Sequence, residues 1–272
     1  MRLDLHVHST ASDGSWSPEA VVRGAGAGGL DVIALTDHDT IAGYPTAHRI
    51  GREIDVQVLP GIEVSSTYRG RDVHILGYFV DPDADPLARY GDRAVHRRAE
   101  RMREILAKLA AQGIVVDYSS VEDAAGPDRV VIGRPHLAKA LVAAGHAASI
   151  PDAFDRFIGD DCAAFVPTHL LTPTQAVALV QEAGGVPVWA HPPGDLVDPL
   201  LPELVGAGLR GLEVYRPRHK QSEVLRYENI CHSSGLLVSG GSDWHTPDAG
   251  SALGDFFVTG DEVAKLLAVG GL

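Results

Sequence analysis

The stretch Leu3-Asp4-Leu5-His6-Val7-His8 opens the chain with the alternation of apolar and polar residues that a β-strand produces. Two histidines that lie two residues apart on a strand project from the same face. By itself the His-x-His spacing is a weak signal, since hydrogen-bonded surface histidines give the same pattern. It is followed by Ser12-Asp13-Gly14, a turn sequence that can return the Asp13 carboxylate to the same strand end. The opening residues therefore predict a strand that ends in a cluster of potential metal ligands.

Three later segments carry the same residue types, and each follows an apolar, strand-like run. They are Thr36-Asp37-His38-Asp39, Gly61-Ile62-Glu63 and Ser242-Asp243-Trp244-His245. Separately, each has an ordinary explanation, such as a salt-bridged loop at His38 or an exposed carboxylate at Glu63. Asp37 is also placed to orient the His38 ring, which ligand histidines usually require. Because the carboxyl ends of parallel strands meet on one face of a barrel, we expect the four segments to form one metal site.

Strand and helix patterns alternate over the first 80 residues and again after residue 165. Helix starts are marked by Ser17-Pro18-Glu19, where Ser17 is a predicted N-cap, and by the capping box Thr172-Pro173-Thr174-Gln175. This alternation predicts an α/β fold with a parallel sheet closed as a barrel. The predicted strands are Leu3–Val7, Val32–Leu35, Val56–Leu59, Val73–Phe79, Val186–Ala190, Leu212–Val214 and Leu236–Ser239.

The middle of the chain breaks this rhythm and predicts a mostly helical insertion over residues 81–165, entered through the Pro- and Asp-rich segment 81–86. The barrel domain would then comprise residues 1–80 and 166–272, with the insertion covering the predicted site. From Tyr90 to Ala111 apolar residues recur at helical spacing. Residues 89–108 hold seven basic and three acidic side chains. We favour a solvated basic face for this helix over a basic wall beside a polyanion site.

Composition narrows the classes of function. The chain has 272 residues, 45% of them hydrophobic, and a formal net charge of −13, which disfavours binding to long nucleic acid or to anionic membranes. Its two cysteines are too few for a disulfide framework, so a reducing, cytoplasmic environment is expected. The first residues lack the apolar stretch of a signal peptide, and no apolar run has membrane-spanning length.

Two more strand-associated histidines are candidate ligands. His74 interrupts the apolar stretch 73–78, and His191 ends the apolar strand before Pro192. A lone strand histidine is more often a hydrogen-bonded core residue. Five strand ends that each offer a histidine or a carboxylate are hard to explain by core packing alone.

With these residues in place, the chain resembles the PHP (polymerase and histidinol phosphatase) family. It is most similar to the stand-alone branch of metal-dependent phosphoesterases that carry a helical insertion. The insertion resemblance lies in Gly133-Arg134-Pro135-His136, and the late resemblance in Gly211-Leu212-Glu213-Val214-Tyr215 with His219. The resemblance implies a distorted (βα)7 barrel and two to three divalent ions, of Mn, Fe or Zn, between which the N/O ligand set does not choose.

The resemblance also implies how the ligands are shared among the ions. The first ion would take His6, His8, Glu63 and Asp243, the second Asp13, His38 and His245, and the third Glu63, His74 and His191. Arg134 would bind the substrate phosphate, since a planar guanidinium suits bidentate phosphate contact. His219 and His136 are candidates for phosphate contact or for protonation of the leaving group, and a structural hydrogen bond is an equal alternative for His136.

Two segments of this chain differ from the usual sequence of the branch that it resembles, and both bear on the choice of substrate. Gly159-Asp160-Asp161-Cys162 is acidic where this branch is usually basic, and His191 is followed by Pro-Pro where Pro-Gly is common. Arg216, Arg218 and Lys220, which we expect on the helix that bears His219, would compensate for lost positive charge.

The implied activity is hydrolysis of a phosphomonoester of a small nucleotide, a nucleoside 3′,5′-bisphosphate, or of a short oligoribonucleotide. A bridging water of lowered pKa would attack phosphorus in line with the leaving oxygen. Histidinol-phosphate phosphatase is the nearest alternative and an amidohydrolase a weaker one, because Arg134 would then lack a purpose. A metal-stabilised, non-catalytic binding module is the alternative of another class.

Overall fold

Eight β-strands form one continuous sheet in the computed structural model, which describes residues 1–247 and 252–272. Along the sheet the order is β7-β6-β5-β4-β3-β2-β1-β8. The strands are β1 (Arg2–Val7), β2 (Val32–Leu35), β3 (Gln57–Tyr68), β4 (Arg71–Tyr78), β5 (Val186–Trp189), β6 (Gly211–Tyr215), β7 (Leu237–Gly240) and β8 (Val258–Thr259).

The predicted alternation of strands and helices is confirmed in the outer parts of the chain. The helices are α1 (Pro18–Ala27), α2 (Tyr44–Ile54), α3 (Asp85–Ala110), α4 (Tyr118–Ala125), α5 (Arg134–Ala143), α6 (Ile150–Ala153), α7 (Pro173–Glu182), α8 (Gly194–Gly206), α9 (Gln221–Ser234) and α10 (Ala264–Val269), with a π-helical turn at Phe154–Ile158. Ser17 caps α1 by accepting a hydrogen bond from the Ala20 N–H, and Thr172 forms the predicted capping box with Gln175.

The strand pairing is not parallel throughout. β1, β2 and β3 pair in parallel, as do β5, β6 and β7, whereas β4 is antiparallel to both of its neighbours. A two-residue turn, Arg69-Gly70, joins β3 to β4, and both residues have positive φ, as a type I′ hairpin turn needs. The strand predicted over Val56–Leu59 ends too early, because β3 runs on through Pro60 and Gly61 to Tyr68. Glu63 consequently lies within a strand and not after one.

The barrel closes beside the predicted metal ligands. The segment after β7 pairs with the end of β1 through a parallel bridge between Val7 and Trp244. His8 N–H donates to the Trp244 carbonyl at 2.9 Å, and Trp244 N–H donates to the His6 carbonyl at 3.3 Å. At the opposite end of β1, the short antiparallel β8 borders the sheet. The predicted α/β barrel is thus confirmed, as a distorted barrel that includes antiparallel strands.

An irregularity in β1 decides which way its histidines point. Leu3 and Leu5 pack into a cluster built from seven strands and α10, whereas Val7 packs into the cluster beneath α1 and α2. Strict alternation would place all three on one face. The pairing of β1 with β2 shifts register between Asp4 and Val7, and such bulges re-aim side chains. As a result, His6 faces the same interior as Leu5.

The helices between β4 and α7 pack on a hydrophobic cluster of their own, which includes Met102, Ile105, Leu109, Leu137 and Leu141. Residues 81–165 as an insertion, with the remainder as the barrel domain, stay a predicted division. No helix in the described part of the chain is long and apolar enough to cross a membrane.

The basic face of α3 is not simply solvated, contrary to the favoured interpretation. Arg98 and Arg101 are buried, and each meets a buried carboxylate: Arg98 Nε lies 2.6 Å from Asp39 Oδ2, and Arg101 Nη2 lies 2.7 Å from Asp72 Oδ2. These ion pairs tie α3 to the barrel, and the helical periodicity alone did not identify them.

Candidate metal centre

All of the predicted ligands converge at one end of the barrel. His6 comes from β1, Glu63 from β3 and His74 from β4, and the others, His8 among them, lie on the segments that follow the strands. The ligand atoms form three groups, in each of which they lie within 4.8 Å of one another. The groups are His6, His8, Glu63 and Asp243; His8, Asp13, His38 and His245; and His38, Glu63 and His74.

The first group is the most compact. Oε2 of Glu63 lies 3.2 Å from Nε2 of His6 and 3.2 Å from Nε2 of His8. Oδ1 of Asp243 lies 3.4 Å and 3.3 Å from the same two nitrogens. Two donor atoms that each lie about 2.1 Å from one ion, at tetrahedral or octahedral angles, are roughly 3.0–3.4 Å apart. The four atoms therefore have the spacing of ligands that share a cation.

Several of these atoms have no hydrogen-bond partner although they are buried. They are Nε2 of His6, both ring nitrogens of His8, Nδ1 of His38 and Oε2 of Glu63. An unpaired polar atom in a protein interior costs about 1–3 kcal/mol, so a convergent set of them calls for a ligand that the protein atoms do not supply. Nitrogen and oxygen donors together fit Mn, Fe or Zn.

The second and third groups share residues with the first. Asp13 lies between His38 and His245, with Oδ2 3.7 Å from His38 Nε2 and Oδ1 3.4 Å from His245 Nε2. Glu63 Oε1 lies 3.0 Å from His74 Nδ1 and 2.8 Å from His191 Nε2. Glu63 therefore stands between the first and third groups, where a bridging carboxylate is needed if both hold an ion.

The electrostatics of the centre favour ionised carboxylates. Burial raises the pKa of Glu63, but His38, His6 and His74 outweigh it and hold the pKa well below its usual value. Burial lowers the pKa of His38 to about 3, so its ring is neutral, as a ligand must be. Burial is outweighed at His245, where Asp13 and Asp243 raise the pKa to about 10. The same negative field that attracts that proton would attract a metal cation.

Two buried carboxylates that support the centre were not identified from the sequence. Glu213 accepts from His6 Nδ1 at 2.8 Å and from the His191 N–H at 2.6 Å. Asp4 accepts from the Ser242 N–H at 2.8 Å and from Ser242 Oγ at 2.5 Å, and burial raises its pKa to about 6. The available signal was an acidic residue inside an apolar strand, since a buried carboxylate needs a partner.

Asp37 has a different role from the predicted one. Its carboxylate accepts from the Ser9 N–H at 2.8 Å, from Ser9 Oγ at 2.7 Å and from Ser12 Oγ at 2.6 Å. It thus orients the loop that carries Asp13, whereas the prediction had it orient the His38 ring. Asp37 thereby fixes the position of Asp13, one of the candidate ligands.

Asp39 links the centre to α3. Its carboxylate accepts from Arg98, from Tyr90 Oη and from the Ser65 N–H, and its φ is 55°. Arg98 also donates to Ser65 Oγ at 2.8 Å and to the Ile132 carbonyl at 3.4 Å. Since His38 precedes Asp39 and Arg134 lies two residues after Ile132, Arg98 connects the loops that carry a candidate ligand and the candidate phosphate residue.

Arg134 begins α5, and its side chain is already engaged. Nη1 donates to Asp160 Oδ1 at 2.6 Å and to the Ile158 carbonyl at 3.1 Å, while the guanidinium lies 5.0 Å from the centre of the Phe165 ring. The preceding residue approaches the metal centre, because a Cβ built on Gly133 would lie 3.4 Å from Asp13 Oδ2. Arg134 is therefore near the centre but is paired with Asp160. This residue belongs to the acidic segment 159–162, where the resembling branch of the family is usually basic.

The two other candidate histidines have defined tautomers when neutral. The Gly133 N–H donates to His136 Nδ1 at 3.1 Å, so the proton of this buried ring is on Nε2, and burial lowers the pKa of His136 to about 4. His219 Nδ1 donates to the Val214 carbonyl at 2.8 Å, which leaves Nε2 as an acceptor. His136 is thus suited to donate a hydrogen bond from Nε2 and poorly suited to carry a positive charge.

A cavity of about 440 Å³ opens beside Asp243 and His245. Its other wall contains Arg216, Arg218 and His219. These residues belong to the segment between β6 and α9, so the predicted helical location of His219 is wrong. Arg216 Nη2 lies 3.0 Å from Asp243 Oδ2, whereas the described part of the chain supplies no carboxylate partner for Arg218.

A distorted α/β barrel with clustered histidines and carboxylates at its strand ends defines a metal-dependent hydrolase. The PHP domain family matches residues 4–149, and relatives at 30% identity or more span most of the chain. The chain belongs to the PHP family, whose phosphoesterases are metal-dependent, and it is an enzyme that acts on phosphoric ester bonds.

Three relatives of known description illustrate the range of activities. A 5′-3′ exoribonuclease of Haemophilus influenzae is 32% identical over 251 residues, 90% of this chain and 90% of its own length. A phosphoribosyl 1,2-cyclic phosphate 1,2-diphosphodiesterase of Eggerthella lenta is 36% identical, over 89% of this chain and 93% of its own. A 3′,5′-nucleoside bisphosphate phosphatase of Chromobacterium violaceum is 31% identical, over 91% and 88% respectively.

Two solved structures have the same fold over nearly the full chain. A protein of Bifidobacterium adolescentis, provisionally described as a metal-dependent phosphoesterase, has a TM-score of 0.88 and 32% identity, covering 98% of this chain and 95% of its own. A protein of Chromobacterium violaceum described as an amidohydrolase, with bound sulfate, has a TM-score of 0.86 and 29% identity, covering 95% and 92%.

Proposed function

We propose that this protein hydrolyses the phosphomonoester of a small nucleotide, a nucleoside 3′,5′-bisphosphate, or acts on a short oligoribonucleotide, with two to three divalent ions in the centre. The observation that carries the proposal is the set of buried, unpartnered donor atoms at ligand-like separations around Glu63. A relative of 31% identity is a 3′,5′-nucleoside bisphosphate phosphatase, which supports the substrate class.

We assign the ions to Mn, Fe or Zn and divide the ligands among three positions. They are His6, His8, Glu63 and Asp243 for the first; Asp13, His38 and His245 for the second; and Glu63, His74 and His191 for the third. Ions bound there would supply a water of lowered pKa and would screen the charge of the phosphate.

The protein residues would position the substrate and the ligands. Glu213 would take no part in proton transfer. It accepts hydrogen bonds from Nδ1 of His6 and from the backbone N–H of His191, and it thereby keeps Nε2 of His6 directed at Glu63. Arg134 would contact the phosphate oxygens after it leaves Asp160, and His136 would donate a hydrogen bond from Nε2. His219 would face the substrate from the cavity wall and would protonate the leaving oxygen only from its imidazolium form.

A cyclic phosphodiester of a ribose phosphate is a second candidate substrate. It is favoured by the relative from Eggerthella lenta, which at 36% identity covers 89% of this chain. Both candidates contain a ribose that bears two phosphoryl groups, so the same cavity beside Asp243 would accept either. Long nucleic acid stays excluded from the proposal, because the net charge of −13 opposes its capture.

The test is anaerobic purification with metal analysis, followed by a substrate panel of nucleoside 3′,5′-bisphosphates, short RNAs, a cyclic ribose phosphate and histidinol phosphate. We expect phosphate release from the bisphosphates, abolished by His38→Ala and retained by His232→Ala, a substitution at an exposed histidine of α9. Turnover of histidinol phosphate alone would replace the proposed substrate. No turnover of any phosphoester by the metal-loaded protein would favour a non-catalytic binding role.

Arg134→Ala separates substrate binding from metal binding. Charge-assisted hydrogen bonds are worth about 1.5–3 kcal/mol, so kcat/KM should fall by about 10- to 100-fold while the metal content is unchanged. Arg156→Ala is the matched control, since Arg156 also belongs to the helical region and also pairs with an aspartate, Asp152. A collapse of metal occupancy in Arg134→Ala would contradict the assigned role.

A further inference from the structure

The residues that flank the metal centre differ in how far their charge is already balanced. On the side of the helical region, Arg134 is paired with Asp160 at 2.6 Å, and its Nη2 lies 3.7 Å from Asp72. On the side of the cavity, Arg216 is paired with Asp243, but Arg218 has no acidic partner among residues 1–247 and 252–272. Of these three arginines, Arg218 is therefore the one whose charge is left to balance an added anion.

The position of Arg218 suits the part of a substrate that extends away from the reacting phosphate. It lines the same cavity as Asp243 and His245, which belong to the first and second ligand groups. The cavity, of about 440 Å³, is large enough for a phosphate together with a sugar, since pockets for small molecules begin at about 300 Å³. His219, on the same wall, adds an acceptor or, when protonated, a second cation.

We propose that the wall formed by Arg216, Arg218 and His219 is the binding site for a second anionic group of the substrate, with Arg218 as its principal contact. This assignment rests on the proposed function and deepens it, because it requires a substrate with two anionic groups. One phosphate reaches the ions and Arg134, and the other reaches Arg218. Arg216 remains tied to Asp243 and limits how closely the second anion approaches the ligands.

The test compares a nucleoside 3′,5′-bisphosphate with the corresponding nucleoside 3′-monophosphate, which lacks the second anion. The quantity measured is the ratio of their kcat/KM values. In Arg218→Gln we expect this ratio to fall by about three- to fivefold, the upper part of the range for an exposed ion pair. Arg218→Lys, which retains the charge, should keep most of the preference.

Lys220→Gln is the matched control, because it removes the same charge two residues away at a position that does not line the cavity. An unchanged ratio in Arg218→Gln, or an equal fall in Lys220→Gln, would overturn the proposed site. A wild-type protein that hydrolyses neither nucleotide would instead contradict the proposed function, and the anion site with it. Metal analysis of each variant shows whether a fall in the ratio reflects lost ions, a result that would also overturn the proposal.

Discussion

Nδ1 of His6 lies 2.8 Å from Oε1 of Glu213, and both side chains are fully buried. This contact fixes the Nδ1–H tautomer, so that the lone pair of Nε2 is directed at Glu63 and Asp243. The other oxygen of Glu213 accepts from the backbone N–H of His191. One carboxylate therefore orients His6 of the first group and the backbone of His191, which we propose as a ligand of the third ion.

Glu213→Gln should weaken metal binding by about 10- to 100-fold, the usual effect of removing a hydrogen-bonding partner of a ligand histidine. The amide replaces one acceptor by a donor and so conflicts with either His6 or the His191 N–H. Metal titration followed by calorimetry measures the change. Glu182→Gln, at the exposed end of α7, should leave the affinity unchanged. Equal affinities in the two variants would show that Glu213 has no orienting role.

Asp160→Asn should lower KM for the substrate by about two- to fivefold, because it removes the carboxylate that competes with phosphate for Arg134. We expect little change in kcat. Steady-state kinetics at fixed metal concentration provides the measurement. Asp161→Asn removes the same charge from the neighbouring position and should have little effect. The gain should vanish in an Arg134→Ala background, and a gain that persists there would indicate a general electrostatic effect.

Arg98→Met should destabilise the protein by about 3–5 kcal/mol, because it leaves Asp39 as a buried carboxylate without its cation. The loss should be visible as a lower midpoint in urea unfolding of the metal-free protein. Arg93→Ala, at an exposed position of the same helix, should change the stability by less than about 0.5 kcal/mol. A similar small change in both would mean that the Arg98–Asp39 pair contributes little.

Thiol labelling should distinguish the two cysteines. Burial raises the pKa of Cys231 to about 12, whereas Cys162 is partly exposed. At pH 8 the folded state therefore holds almost no Cys231 thiolate, the reactive form. We expect one equivalent of a disulfide-exchange reagent to react with native protein and two with denatured protein. Rapid reaction of two equivalents under native conditions would contradict the burial of Cys231.

The sequence was most informative where a strand pattern ended in histidine and carboxylate. His6, His8, Asp13, His38, Asp243 and His245 were predicted as ligands from such endings, and the structure brings them together, because the strand ends of a barrel converge. Glu63 was found for a partly wrong reason, since the hairpin of β3 and β4 continues past it. Glu213 received no role, because an acidic residue within a short strand pattern does not reveal what its carboxylate contacts.

The sequence by itself determined the class of fold and the chemistry of the centre, since apolar periodicity and ligand types are local properties of the chain. Only the tertiary structure decided which donor atoms face one another. The register shift in β1 turns His6 toward the interior, Glu213 selects its tautomer, and Asp160 occupies Arg134. Each of these depends on contacts between residues far apart in sequence, and a residue's own neighbours in the chain do not encode them.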